Sequence, residues 1–181
     1  MRKGFTMIEL IFVIVILGIL AAVAVPRLTA TRDDAEIAKA ATNVSTLISD
    51  IGAYYTSQGR FGTKAQMSNV VISGGTDLNI AANGTATGTA TGSLQSAGKN
   101  CLAFTLNPEV NNATTRTPAF VTIAAGADAA APICVKVIAD PEIQKYINAQ
   151  FVGQTFNTVT NQWEAAAPAA GVQITGLSVV R

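Results

Sequence analysis

Histidine is missing from this chain. Its absence removes the commonest general base and the commonest metal ligand together. Cysteine is nearly missing: Cys101 and Cys134 are the whole thiol inventory, outside any C-x-x-C spacing. Without histidine there is no Cys–His nucleophile pair, and two cysteines alone do not make a zinc site. Charge is sparse as well, at 13% Asp, Glu, Lys and Arg, with a formal net charge of +1. No global field draws the chain to nucleic acid, and direct contact with nucleic acid is not expected. Residues 57–181 keep the balance, with seven Lys/Arg against six Asp/Glu. Walker loop, dinucleotide fingerprint and serine elbow are all lacking. The carboxylates are too scattered to nominate a catalytic pair. Asp128 and Asp140 fall short of the dense oxygen cluster that a calcium site needs. Neither an enzyme nor a metal or cofactor is expected.

What the chain does have is concentrated in its first twenty-six residues. Met1-Arg2-Lys3-Gly4 is a cationic start, followed by Phe5-Thr6-Met7-Ile8-Glu9-Leu10. From Leu10 to Val25 no charged residue occurs, and Pro26 closes the run. As a helix, Phe5 to Val25 is roughly 31 Å long, enough to cross the ~30 Å hydrocarbon core of a bilayer. A carboxylate at the middle of such a helix costs about 2.5–3.5 kcal/mol, and less near its end, where Glu9 stands. A secretory signal peptide with Ala22-Val23-Ala24 as the cleavage site is one reading, but the apolar run is longer than that class carries and contains an acid. A plain single-span anchor explains the length and leaves Glu9 and Gly4-Phe5 unexplained.

A third reading rests on resemblance. Gly4-Phe5-Thr6-Met7-Ile8-Glu9-Leu10 resembles the cleavage and methylation signature of type IV prepilins and type II secretion pseudopilins. The resemblance implies that a membrane prepilin peptidase cuts between Gly4 and Phe5 and methylates the new amino terminus at Phe5. Glu9 is then the fifth mature residue, where the family carries its glutamate. Gly18 and Pro26 fall where the family places an upstream glycine and a helix-kinking proline. Physical chemistry agrees with these roles. The amine released at Phe5 and the Glu9 carboxylate of a staggered neighbour can pair in low dielectric, and an unpaired buried charge penalises wrong register. Proline removes a backbone donor and glycine adds backbone freedom, so the stretch from Gly18 to Pro26 is expected to bend or melt cheaply. Arg2 and Lys3 favour a cytoplasmic start, but Arg27 and Arg32 flank the other end, so topology rests on the resemblance, which places the rest of the chain outside the cytoplasm. In that setting Cys101 and Cys134 are expected to be oxidised to each other, closing a loop of about 33 residues. Many family members place their disulfide near the C-terminus, whereas here 47 residues follow Cys134.

Past Pro26 the apolar period changes. Ile37, Ala41, Val44, Ile48, Ile51 and Tyr55 line one face of an amphipathic helix. The resemblance implies that this is the second half of the long pilin helix, its stripe covering a sheet, and the helix is expected to fade at Gly52 or by Gln58-Gly59. A glycine-rich exit, Gly59-Arg60-Phe61-Gly62, resembles the connection that leaves the helix in major pilins and the major pseudopilin. Val70 to Ile72 reads as a short strand. Residues 81–93, where Gly-Thr-Ala-Thr occurs twice, have too little apolar surface for a core and read as an exposed loop. Residues 101–106, 119–123 and 133–138 alternate and read as strands of an antiparallel sheet. Asp140-Pro141-Glu142 opens a short helix with an N-cap, a proline and an acid in the first turn, its buried face formed by Ile143, Tyr146 and Ile147. Phe156 to Val159, Gln162 to Glu164 and Val172 to Val180 read as further strands, with Trp163 as a sheet or core anchor.

These readings assemble into an α+β, pilin-like fold. They divide it into a leader at 1–4, a transmembrane or filament-core helix at 5–26, an amphipathic half-helix at 27–58 and a β-rich head at 59–181. The expected function is a structural subunit, pilin or pseudopilin, that polymerises into a type IV pilus or a type II secretion pseudopilus. A minor pilin or binding module near a filament tip, serving adhesion or DNA uptake, is the alternative, and a secreted soluble protein lies outside both. The implied partners are the prepilin peptidase/methyltransferase, copies of itself or related pilins, and an inner-membrane assembly platform. The implied location is the inner membrane before assembly, then a periplasmic pseudopilus or a cell-surface pilus. Scarce charge with abundant Ala, Thr, Gly and Asn suits a surface packed against its own copies.

Overall fold

The computed structural model describes residues 5–175. The expected leader at 1–4, with Gly4, and residues 176–180 of the last expected strand lie outside the described residues. The chain forms two compact units, Met1–Glu36 and Ile37–Arg181.

The first unit is the opening of helix α1 (Met7–Gln58), which has Gly18 and Pro26 within it. Proline cannot donate to the preceding turn. Around it hydroxyls take up backbone carbonyls, with Thr29 Oγ1 donating to Val25 O at 3.1 Å and Thr31 Oγ1 to Leu28 O at 3.0 Å. The helix ends where Gly59, at φ +65°, sends its N–H back to Tyr55 O at 2.8 Å, the left-handed glycine stop.

The second unit opens with the remainder of α1. After it come α2 (Lys64–Met67), β1 (Ile72–Ser73), β2 (Asn79–Ile80), β3 (Ala86–Thr87), β4 (Ala90–Ser96), β5 (Lys99–Asn107), β6 (Val110–Asn111), β7 (Thr115–Thr117) and β8 (Phe120–Ala125). There follow α3 (Pro132–Ala139), α4 (Pro141–Ile147), β9 (Gln150–Phe151), β10 (Gln154–Asn157), β11 (Gln162–Ala165), β12 (Ala169–Ala170) and β13 (Val172–Gln173). The main sheet is antiparallel, in the order β1-β4-β5-β8-β13. A second antiparallel sheet has the order β11-β10-β7-β6, and two small ladders pair β12 with β9 and β2 with β3. The β4–β5 hairpin turns through Ala97 and Gly98, both at positive φ (47° and 75°), the geometry that matches strand twist in a two-residue turn.

One core holds this unit together. Ala40, Val44, Leu47 and Ile51 of α1 are buried with Leu94, Leu102, Phe104, Leu106, Val121 and Ile123 of the main sheet and Val137 and Ile143 of the short helices. The deepest line on α1 thus differs from the expected stripe. Val44 and Ile51 are shared, whereas Ala40 and Leu47 replace Ala41 and Ile48, which are only half-buried. Both lines have helical spacing, and the broader apolar face does not reveal which line meets the sheet. A polar tie adds to the packing. The Ser68 hydroxyl donates to Asp50 at 2.6 Å and accepts the Val70 N–H at 3.1 Å.

Two expectations are corrected. Residues 133–138 form helix α3, not a strand. Pro132 stands at its first position and buried Cys134 and Val137 lie one turn apart, while Val135 is exposed. A short apolar run of branched residues satisfies either period, so alternation alone could not separate them. Residues 81–93 are not one exposed loop. They hold the end of the β2–β3 hairpin and the start of β4, and Ala90 is fully buried. Smallness is the reason these residues fit: a Cβ on Gly92 would sit 2.1 Å from Ile72 Cγ2, and one on Gly75 would sit 2.0 Å from Thr91 O.

Candidate functional site

The beginning of α1 is built around Thr6 and Glu9. Thr6 precedes the helix, and Glu9 lies in its first turn. The Thr6 N–H donates to Glu9 Oε2 at 2.9 Å and the Thr6 hydroxyl to the same oxygen at 2.6 Å. In return the Glu9 N–H donates to Thr6 Oγ1 at 3.4 Å. This reciprocal pair is a capping box, which satisfies two of the amides a helix start leaves without partners. The Thr-x-x-Glu spacing of a capping box is written in the sequence at Thr6 to Glu9.

The surface that follows is almost wholly apolar and wholly uncovered. Phe5 is 86% exposed and Leu28 is 68% exposed, with the Ile, Leu, Val and Phe side chains between them exposed as well. Mean hydropathy over the best 18-residue window is 3.1, and none of that window is buried. Gly18 faces open space. Scattered exposed leucines are ordinary, but a continuous apolar surface of this length marks contact with a membrane or with other proteins.

The other predicted residues lie in the second unit. Cys101 on β5 and Cys134 on α3 form a disulfide, both sulfurs buried, with Cα atoms 4.7 Å apart. Asp128 is occupied locally: it accepts the Asn100 N–H at 2.8 Å. Asp140 caps α4 through the amides of Glu142 and Ile143 at 3.0 and 3.3 Å. Among the described residues no group of three or more His, Cys, Asp or Glu is placed to hold a metal ion. Trp163 anchors the second sheet rather than the core. It packs edge-on against Phe156, its cross-strand partner, with ring centres 5.4 Å apart. At the end of α1, Tyr55 packs on Phe61 with ring centres 4.6 Å apart, and Glu109 lies close to its phenol. Burial first, then the neighbouring Glu109 carboxylate, push the Tyr55 phenol above its ordinary pKa of 10.0.

Comparison with known proteins bears on the same region. A family model described as a prokaryotic N-terminal methylation motif matches residues 1–25. The chain is 37% identical over 65 residues to the type II secretion system core protein G of Dickeya chrysanthemi, covering 36% of this chain and 42% of that protein. It is 35% identical over 71 residues to the protein of the same name from Klebsiella michiganensis, and 34% over 71 residues to that of Aeromonas hydrophila. Each of these two matches covers 39% of this chain and 50% of the relative. The chain therefore spans half or less of the length of these curated relatives. No solved structure matches it. The chain carries a prepilin-type methylation motif, is similar to type II secretion core protein G over somewhat more than a third of its length, and has a pilin-like α+β fold.

Proposed function

We propose that this chain is a structural subunit of a type IV-type filament, cut between Gly4 and Phe5 and methylated at Phe5 by a prepilin peptidase. The observation that carries the reading is the bare apolar stretch from Phe5 to Leu28, with Glu9 in its first turn as the sole acid. A bilayer covers such a surface before assembly, and the same stretch of neighbouring subunits covers it afterwards. Glu9 then acts as a register device. The amine freed at Phe5 of one subunit pairs with the Glu9 carboxylate of the next, and a misplaced subunit leaves a charge unpaired in low dielectric. Gly18 and Pro26 bound a segment that yields as the helices pack. The disulfide-bonded second unit stays outside the cytoplasm, the inner membrane stores the subunit, and an assembly platform there adds it to the filament. The names of its relatives favour a type II secretion pseudopilus over a surface pilus.

N-terminal sequencing and intact mass of the membrane-extracted protein test the reading. An N-methylated Phe5 is expected, and a mature start at Val25 would sink the proposal in favour of an ordinary signal peptide. In parallel, Glu9→Ala should insert into the membrane normally yet yield few filaments. Wild-type filament yield from that variant would remove Glu9 from the register role.

A further inference from the structure

The second sheet carries an aromatic and cationic cluster that the core does not use. Residues paired across antiparallel strands point to the same side, and so do residues two apart on one strand. The pairs Asn111–Arg116, Arg116–Gln154 and Phe156–Trp163 therefore share one face, because Gln154 and Phe156 are two apart on β10. Phe156 and Trp163 are half-buried, and neither belongs to the core or packs on it. The Arg116 guanidinium lies 3.9 Å over the Trp163 ring, which Phe156 meets edge-on. Lys64 and Arg116 are the two half-buried cations among the described residues. Lys64 donates to Gly74 O and Thr91 O, each at 2.8 Å, whereas the buried Nε of Arg116 has no acceptor among the described residues. Apolar exposure gathers here too. Of the five large apolar side chains left exposed past α1 among the described residues, Val110 lies on β6, and Val152 and Val159 border β10.

We infer that this face docks a short segment of a different protein, one that places an Asp or Glu carboxylate beside an apolar side chain. Charge complementarity selects the acid. The guanidinium is already partly desolvated and held flat on an aromatic ring, so its remaining N–H groups offer a carboxylate a fork that needs no further ordering. The neighbours select a polypeptide. Tryptophan and arginine side by side are the residue types that most often carry the energy of a protein contact, whereas nucleic acid is held by many cations and this face has one. Area selects a short segment. Four strands ~4.8 Å apart and a β10 of four residues at ~3.4 Å each give a face of roughly 200 Å², against about 800 Å² per partner in a standard stable interface. That is room for an extended segment and too little for a folded copy of the chain bound through this face. The contact goes beyond the assembly reading, which employs the opening of α1, and does not depend on it.

The test uses the full chain in cells of the organism that makes it. Ala165, exposed and paired with Gln154 on this face, is replaced by the photocrosslinker benzoylphenylalanine, and exposed Thr155, on the opposite face, is replaced in the same way as a control. Illumination should join position 165 to a second protein, within a segment that mass spectrometry shows to contain Asp or Glu, and the control should give little of that product. Arg116→Glu should lower the yield about tenfold or more, and exchanging the mapped acid for lysine should restore it. A synthetic peptide of the mapped segment should change the fluorescence of Trp163, the chain's single tryptophan, and its counterpart with the acid made an amide should bind about tenfold more weakly. Products confined to copies of the chain, to lipid or to polysaccharide overturn the inference. So do a mapped segment without an acid, a yield unmoved by Arg116→Glu, or no product at all. All of these leave the assembly reading standing. Resistance of Cys101 and Cys134 to alkylation without reduction shows that each variant has folded.

Discussion

Replacing Cys101 and Cys134 together by alanine removes the one covalent tie between α3 and the main sheet. The disulfide closes a span of 33 residues, and in the chain-entropy model opening a loop of that size restores about 3.7 kcal/mol of freedom to the unfolded chain at 25 °C. The structure gives no reason for a large compensating loss on the folded side, since alanine leaves no polar atom in a site where both sulfurs are buried. The single tryptophan, Trp163, lies in β11, far along the chain from either cysteine and within the same compact unit. Its fluorescence therefore reports cooperative unfolding of that unit in the full chain held in a mild non-ionic detergent. With a urea slope of about 2 kcal/mol/M, the midpoint should fall by about 2 M, and reduction of the wild type should produce the same shift. A fall smaller than about 0.5 M would refute the reasoning, because the unfolded chain would then already be confined between residues 101 and 134.

Two further expectations use the same assay. Gly75→Ala forces a side chain onto a residue at φ +76°, with its Cβ 2.0 Å from Thr91 O; strain and overpacking together should cost about 3 kcal/mol, and an unchanged midpoint would show that the 74–76 turn can move away from β4. Tyr55 makes stability sensitive to alkali. Its phenol pKa is raised in the fold, so the protonated form is favoured there, and the stability it contributes is full below pH 10 and is lost as pH climbs through the raised value. Tyr55→Phe should flatten the alkaline limb of stability against pH, and an unaltered limb would place the titration elsewhere.

The parts of the fold legible in the sequence were those with long or chemically specific signals. The apolar run, the helix stop at Gln58-Gly59, the Asp140 cap and the strands at 101–106 and 119–123 all appear in the structure. The misreadings share a cause. Residues 133–138 are too few and too uniformly apolar for period to distinguish helix from strand. The 81–93 stretch looked too poor in hydrophobic surface to pack, yet Ala90 and Gly92 pack because they are small. Leu47 is not singled out by the sequence, because two apolar lines run side by side on α1 and only the sheet selects between them. At the candidate site, Glu9 is conspicuous as an acid among apolar neighbours, whereas Thr6 acquires its role only through the hydrogen bonds of the folded helix start.

The Thr6–Glu9 capping box changes what joining a filament means energetically. Under the proposed scheme a subunit would not hold a bare carboxylate in reserve before assembly, because both Thr6 donors already occupy one of its oxygens. Incorporation under the proposed scheme is then an exchange of one set of donors, those of Thr6, for another, the neighbour's amine, at a carboxylate that is satisfied before and after. Exchanges of that kind have small net driving force even when each bond is strong. A subunit leaving such a filament would find its original donors only three residues away, so the chemistry proposed to set register would also make the step reversible.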